Sequence, residues 1–306
     1  MIPSDLAKTI YRTVAYFFYF EYPLTGFEIW KWQMKPVRIY SLDEILQALA
    51  SSSWLAEHLE RQRGFFTMAG SNIENQIHER RRRFLNAVTK QQKLRRVLWY
   101  LSRLPHIQGI ALCNSIVFHH TRPESDIDLF VLTKPGRLWL TRLFSVSPFI
   151  LLQQRPGETK TDPVDLSFFV ATDELGLEAL KIDREDPYLS LWTRSIIPVY
   201  EREAGVFETF FSSNLWAAQD LPATRPSRRA FSQRHEIRLR FPSVPLSEKL
   251  AARIQQRKFP NEIKQLANQD SRVVVTDRML KFHKNDRRLE IARALRQKMT
   301  LCEPES

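Results

Sequence analysis

The sequence predicts an α/β protein in which a mixed-sheet core lies between a helical N-terminal unit and a mainly helical C-terminal region. In the N-terminal unit, apolar residues such as Ile10, Val14 and Phe17 recur at helical spacing. In the middle of the chain, β-branched and aromatic runs of strand length flank a helical stretch, Leu138–Leu152. These runs are Ile127–Leu132 and Val164–Val170, and they indicate a sheet with a helix between two of its strands.

Composition sets limits on the class of protein. The chain has 306 residues, 43% of them hydrophobic, which is enough for a sizeable core and suggests more than one domain. The net charge of +12 favours polyanionic partners, namely nucleic acid, nucleotide phosphates or an anionic membrane face, but it also fits a soluble basic protein. The two cysteines, Cys113 and Cys302, have no metal-ligand spacing and favour a reducing cytosol.

Several classes of protein are disfavoured by what the sequence lacks. No apolar run approaches the roughly 18 residues of a membrane-spanning helix, and the N-terminus has no secretory signal pattern. We therefore expect a cytoplasmic protein without a membrane partner. The 8 glycines stand singly, so neither a GxGxxG turn nor a Walker-type phosphate loop is present.

Residues 1–70 predict three helices followed by a hairpin, which resembles a winged helix-turn-helix unit. The third helix carries Asp43, Glu44 and Gln47 and no Lys or Arg, whereas a DNA-recognition helix usually carries basic and amide side chains. A packing or protein-interaction role is therefore favoured over nucleic-acid contact, which remains the alternative. The first helix is predicted from Asp5 to about Phe20, and capping boxes at Thr25–Glu28 and Ser41–Glu44 open the second and third helices. The hairpin is predicted from the short segments Trp54–Leu59 and Gly64–Ala69, which are joined by the turn 60–63.

Basic residues concentrate in two segments outside the predicted sheet. The first is a long connecting helix over residues 71–104, densest at Arg80–Arg83. The second is Arg225–Lys258, which overlaps a Pro/Arg-rich stretch, Leu221–Phe231, that looks like a linker. Either segment can bind the phosphates of RNA or DNA, but charge runs are more often solvated faces. We expect both segments on the surface.

The sequence predicts four parts of the chain. These are the winged-helix-like unit at 1–70, the basic connecting helix at 71–104, the α/β core at 105–220 and a basic, mainly helical region at 221–306.

Two carboxylates carry the strongest chemical signal. Asp126 and Asp128 stand two apart at the start of an apolar run, so in a strand they point to the same face. Adjacent carboxylates repel each other unless a cation lies between them, and hard oxygen ligands of this kind suit Mg²⁺. The surrounding Ile127 and Leu129 to Val131 indicate a buried strand, where such charge must be compensated.

This stretch resembles the DNA polymerase β-like nucleotidyltransferase superfamily. That family has a Gly-Ser pair, about ten residues, and then an Asp-hydrophobic-Asp pair on a strand. Here Ser115 stands eleven positions before Asp126, and Ser125 directly precedes that Asp. The family's third carboxylate lies on a neighbouring strand after a helix, a position that Asp165 fits; Asp162 competes with it but is placed in a loop by Pro163.

The resemblance implies a function and a site. Asp126, Asp128 and Asp165 would be the catalytic, metal-binding residues, holding one or two Mg²⁺ ions, and Asn114 and Ser115 would meet the phosphates of a nucleoside triphosphate such as ATP. The reaction would transfer a nucleoside monophosphate to an acceptor hydroxyl of unknown identity. We expect the three carboxylates to converge at one end of the sheet, with Ser115 facing them across a cleft from the start of a helix.

One position departs from the family pattern. Asn114 stands where the family has Gly, although Asn is among the residues that best tolerate a positive φ. The departure favours an alternative function, in which a nucleic-acid-binding or regulatory protein retains an inactive nucleotidyltransferase fold.

Overall fold

A computed structural model describes residues 3–227 and 247–302 of the chain. Its N-terminal part combines four helices with a three-stranded antiparallel sheet of order β1-β3-β2. The helices are α1 (Asp5–Phe18), α2 (Gly26–Lys31), α3 (Leu42–Ser51) and α4 (Ser53–His58), and the strands are β1 (Leu24–Thr25), β2 (Leu59–Gln62) and β3 (Phe65–Met68).

Local signals explain most of this unit. Both predicted capping boxes form, at Thr25 with Glu28 and at Ser41 with Glu44. The hairpin also forms, but its position in the prediction was wrong: residues 54–58 are helical because the Ser52 side chain caps them, and residues 60–62 are strand rather than turn. The turn itself is Arg63-Gly64, with φ of 50° and 79°, as a two-residue hairpin turn requires.

The long connecting helix, α5, spans Ile73–Leu101 and begins at an Asn72 cap. It contacts β2 and β3 at its N-terminal end and packs Leu94, Leu98 and Leu101 into the core of the central sheet at its other end. The helix therefore joins the N-terminal unit to the sheet that follows.

The central sheet has six strands in the order β7-β4-β5-β6-β9-β8. Among the described strands, only β5 and β6 pair in parallel, and the predicted helix, now α6 (Leu138–Leu151), makes the crossover between them. The two predicted strands are confirmed as β5 and β6. The strands are β4 (Ile107–Leu112), β5 (Ile127–Thr133), β6 (Val164–Ala171), β7 (Ile197–Glu201), β8 (Val273–Val275) and β9 (Met279–Phe282).

Helices cover both faces of this sheet. One core contains side chains of α5, α6 and the later helix α10, and the opposite core contains Trp192, Phe210 and Trp216. The last helix, α12, packs against α1 and α7, so the C-terminal end closes on the N-terminal unit. The remaining helices are α7 (Pro187–Ser195), α8 (Val206–Ser212), α9 (Leu215–Asp220), α10 (Glu248–Lys258), α11 (Asn261–Leu266) and α12 (Arg288–Met299).

Candidate metal centre

Three aspartates meet at one end of the central sheet. Asp128 on β5 lies directly opposite Asp165 on the parallel neighbour β6, and Asp126 is in the loop just before β5. One carboxylate oxygen from each residue lies within 4.8 Å of the other two. The convergence expected from the sequence is therefore present, with Asp128 and Asp165 on adjacent strands as predicted, but Asp126 lies in the loop rather than on the strand.

A bulge in β6 adjoins the three carboxylates. Asp128 pairs with Asp165, but Phe130 pairs with Phe168, so β6 has one more residue than β5 over this interval. The bulge lets Phe168 pack with Phe130 in the same core, with ring centroids 4.9 Å apart. Bulges often redirect side chains next to functional sites, and here one separates the carboxylate end of the strand from its buried end.

Negative charge at this point is only partly offset by the described cations, since Lys90 acts to lower the pKa of Asp126 and Arg142 that of Asp165 without either one forming an ion pair. Burial, followed by the neighbouring Asp165, raises the pKa of Asp128 well above its usual range. Burial also raises the pKa of Asp165, to about 6, and that of Asp126. Within residues 3–227 and 247–302, no Lys or Arg forms an ion pair with any of the three. Half-buried carboxylates that make no ion pair with a described residue fit a bound divalent cation.

A short hydrogen-bonded chain holds Asp165. The Ser167 hydroxyl donates to Asp165 Oδ2 at 2.8 Å, and His283 Nε2 lies 3.1 Å from the same hydroxyl. Burial, followed by the charge of Lys281, lowers the pKa of His283 to about 3, so its ring is neutral. Because the Ser167 proton goes to Asp165, His283 Nε2–H is the donor in the second bond. The order of donation is thus His283 to Ser167 to Asp165.

Asn114 performs a similar role for Asp128. Its φ is 61°, the left-handed conformation expected for the position where the family has Gly. The Tyr188 hydroxyl donates to Asn114 Oδ1 at 3.2 Å, while a hydrogen bond from the Asn114 side chain to Asp128 acts to lower the pKa of that carboxyl. The Asn side chain is therefore held between Tyr188 and the acidic site.

Ser115 is placed differently from the expectation. It follows Asn114 in a short 3-10 helix, Asn114–Phe118. It lines a second cavity, which adjoins the acidic cleft, the cleft that is lined by Asp126, Asp128 and Asp165. Asn114 lines both cavities, whereas Ser115 does not line the cleft that contains the three carboxylates. The helix is also only 5 residues long, so it is not the extended helix that the family resemblance implied.

The acidic cleft encloses about 500 Å³ between the sheet, the end of α1 and the loop before α12. Lys284 and Arg287 of that loop line it, each exposed and paired with a surface carboxylate, Glu262 at 2.8 Å and Glu290 at 2.9 Å. Surface pairs of this kind are weak. These two cations can therefore exchange partners for an anionic ligand, and sequence reasoning did not single them out.

Asp162, the competing third carboxylate, is engaged elsewhere. It pairs with the Lys90 ammonium group, which is fully buried and also donates to the Ser125 carbonyl at 2.9 Å. Lys90 thus fastens α5 to the loop that carries Asp126. Lys90 is one of the basic residues of the predicted connecting helix, now α5. The pattern of charges in the sequence did not show that its side chain points inward.

The basic run Arg80–Arg83 was expected to lie on the surface, and this prediction is wrong for Arg80 and Arg83. Arg80 pairs with Glu28 at 2.6 Å, and Arg83 pairs with Glu21 at 2.9 Å and contacts His120. Their side chains are 17% and 6% exposed, whereas Arg81 and Arg82 are exposed. The run therefore joins α5 to the N-terminal unit. Most of the second basic segment, residues 228–246, and the end of the predicted linker lie outside the described residues.

Comparisons with known proteins give no assignment. The chain has no significant match to a protein-family model, to a curated protein or to a solved structure. Across residues 3–227 and 247–302, no helix combines the length and the apolar character needed to cross a membrane.

Proposed function

We propose that this chain is a Mg²⁺-dependent nucleotidyltransferase that moves a nucleoside monophosphate from a nucleoside triphosphate to an acceptor hydroxyl. The observation that carries the proposal is the convergence of Asp126, Asp128 and Asp165, none of which makes an ion pair with a described residue. The order of these residues along the chain, and Ser115 eleven positions before the first, support the same family.

The donor set fits the ion. Three carboxylates supply hard oxygen atoms, and Mg²⁺ is typically held by one or two carboxylates together with substrate phosphates. Asp126 and Asp128 would hold the ion that meets the triphosphate, and Asp165 would share a second ion. When bound, such ions neutralise charge on the phosphates and on the attacking and leaving oxygens.

The protein's own residues supply the positioning. Asn114 and Ser167 fix the orientation of Asp128 and Asp165, respectively, through hydrogen bonds. The second oxygen of Asp165, Oδ1, receives no hydrogen bond from a described residue and is free to approach the acceptor hydroxyl. Lys284 and Arg287 at the rim of the cleft can approach the phosphates. Positioning and charge neutralisation provide most of the catalysis in phosphoryl-transfer sites.

The test is Mg²⁺-dependent triphosphate binding. Isothermal titration of ATP, CTP, GTP and UTP, with and without Mg²⁺, should show binding by the wild type that falls by on the order of 100-fold in Asp126→Ala and Asp128→Ala, since each removes a metal ligand. Asp43→Ala is the control, because Asp43 is an exposed carboxylate on α3. Binding equal to wild type in both site variants would remove the metal role.

A second assay separates the two functions that the sequence left open. The protein is incubated with α-labelled nucleotides and with RNA, protein or small-molecule hydroxyl acceptors. Transfer of label that requires Asp165 supports the enzyme. Mg²⁺-dependent binding without transfer supports the regulatory or nucleic-acid-binding alternative, which Asn114 at the usual Gly position favours.

A further inference from the structure

An aromatic cavity of about 300 Å³ adjoins the acidic cleft. Its walls come from α1 of the N-terminal unit, from the 3-10 helix that contains Ser115, and from α7. Aromatic rings dominate these walls, and among the described residues no Lys, Arg, Asp or Glu lines the cavity. The aromatic lining includes Tyr16, Phe17, Phe20, Phe118, Tyr188 and Trp192.

The cavity and the cleft lie directly beside each other. Phe20, Asn114, Tyr188 and Trp192 line both of them. Asn114 bonds to Tyr188 and to Asp128, so the shared wall is tied directly to a carboxylate of the candidate metal centre. The cavity therefore lies next to the cleft that contains the three carboxylates, with Asn114 in the wall between them.

Three polar groups around this cavity have no partner among the described residues. The Tyr16 side chain is only 2% exposed, yet its hydroxyl makes no hydrogen bond to a described residue. Ser115 is half-buried and its hydroxyl makes no hydrogen bond to a described residue, and His120 Nδ1 is a buried nitrogen without a partner. Because buried polar atoms are nearly always hydrogen-bonded, His120 Nδ1 beside the cavity indicates a ligand that completes it, and the hydroxyls of Tyr16 and Ser115 can bond to the same ligand.

The chemistry of the cavity excludes phosphates and fits a ring. A phosphate would be buried among apolar walls without a cation, which is costly. A planar ring can instead stack on or meet the edges of the aromatic side chains and present its polar edge to the unpaired groups. The volume is near the lower end of the roughly 300–1,000 Å³ typical of ligand pockets, so a ring system fits better than a whole nucleotide.

We propose that this cavity receives an uncharged, planar aromatic ring of one of the two substrates, while the triphosphate lies in the acidic cleft beside Lys284 and Arg287. This inference rests on the proposed nucleotidyltransferase function. Ser115 then contacts the ring rather than the phosphates. The ring belongs either to the nucleobase or to the acceptor, and both sources have the same chemistry at the cavity wall.

Two variants and one matched control test the cavity. Tyr16→Phe removes one unpaired hydroxyl and keeps the ring, whereas Leu191→Phe fills part of the cavity from α7. The control is Tyr11→Phe, because Tyr11 lies on the same helix and also has a buried, unpartnered hydroxyl, but does not line the cavity. Thermal melting confirms that each variant folds.

The probes separate the parts of the ligand. Binding of Mg²⁺-tripolyphosphate reports the cleft alone, the four nucleoside triphosphates add a base, and phenol and indole represent an acceptor ring. We expect one class of ring-bearing probe to lose about fivefold to tenfold in affinity in Tyr16→Phe, as for one lost hydrogen bond, and more in Leu191→Phe. Tripolyphosphate binding should be equal in the wild type and all three variants.

The outcomes assign or reject the occupant. A loss confined to a nucleoside triphosphate places the nucleobase in the cavity, and a loss confined to phenol or indole places the acceptor ring there. If no ring-bearing probe distinguishes the cavity variants from Tyr11→Phe, the inference is wrong even though tripolyphosphate still binds. If Mg²⁺-tripolyphosphate does not bind to the wild type, the proposed function fails instead.

Discussion

Two clusters of carboxylates lie at the same cleft, and their surroundings are opposite. In the first, Arg288 pairs with Asp186 at 3.0 Å and with Asp286 at 2.7 Å, and Lys281 adds a further positive charge nearby. In the second, formed by the three aspartates of the candidate metal centre, no described cation makes an ion pair. The chain therefore compensates one set of acids with its own residues and leaves the other set open.

The two environments shift acidity in opposite directions. Burial would raise the pKa of Asp286, but the hydrogen bonds and charge of Arg288 outweigh it and the net pKa is lowered. Burial raises the pKa of Asp165, and the Ser167 hydrogen bond does not cancel that effect. The ion-paired cluster joins α7 and α12, whereas the raised pKa values in the second cluster mean that its ionised carboxylates destabilise the fold. This contrast distinguishes a structural acid cluster from a candidate metal site.

The largest expected change in stability comes from breaking the ion-paired cluster of Arg288, Asp186 and Asp286. Arg288→Met should reduce the free energy of unfolding by about 3–5 kcal/mol, because it leaves the fully buried Asp186 without its counter-charge. Urea denaturation measures the change. Arg287→Met is the neighbouring control and should cost only about 0–1 kcal/mol, since its pair with Glu290 is exposed. Equal losses in the two variants would contradict the structural role of the buried pair.

Removing a carboxylate from the candidate metal centre should change the free energy of unfolding in the opposite direction. Asp165→Asn should stabilise the metal-free protein by about 1–3 kcal/mol, because it removes a carboxylate whose pKa is raised to about 6. Asp162→Asn, three residues earlier, should destabilise the protein because it deprives buried Lys90 of its partner. Urea denaturation in EDTA compares the two, and a loss of stability in Asp165→Asn would show that its charge is compensated after all.

The same contrast predicts a pH dependence. Asp165 binds its proton more tightly in the folded protein, where its pKa is about 6, than in the unfolded chain, where it is 3.8. The folded state therefore holds more protons between these values, and stability contributed by this group falls as pH rises from about 4 to 6. Thermal melting in EDTA should show this fall, with a smaller slope in Asp165→Asn. Mg²⁺ should restore stability above pH 6, and an identical slope in both proteins would count against the assignment.

The sequence predicted the acid cluster better than its surroundings. Asp128 and Asp165 were identifiable because two strands of strong β pattern carry them and a helix links those strands, and Asp126 was identifiable because it stands two residues before Asp128. Ser167 follows the i, i+2 rule from Asp165 and could have been found in the same way.

Other parts depended on contacts distant in sequence. β9 is short and contains the charged residue Lys281, so its place beside β6 was not visible in any local pattern. His283, at the end of that strand, was missed for the same reason. The inward orientation of Lys90 was hidden because a helix with basic residues on several sides gives no clear polar face.

The smallest predicted effect concerns how Asp165 is held. Ser167→Ala removes the hydroxyl that donates to Asp165 and separates that carboxylate from His283, without removing a metal ligand. Outer partners of metal ligands typically alter metal affinity by about 10–100-fold, and loss of this one should weaken Mg²⁺ binding near the lower end of that range.

The exposed Ser213→Ala is the control for Ser167→Ala. Because a hydroxyl at position 167 is what matters, Ser167→Thr should recover much of the affinity. Titration of Mg²⁺ in the presence of tripolyphosphate measures all four proteins. Wild-type affinity in Ser167→Ala would mean that the β6 bulge alone fixes Asp165, and that the hydrogen-bonded chain from His283 contributes nothing to the site.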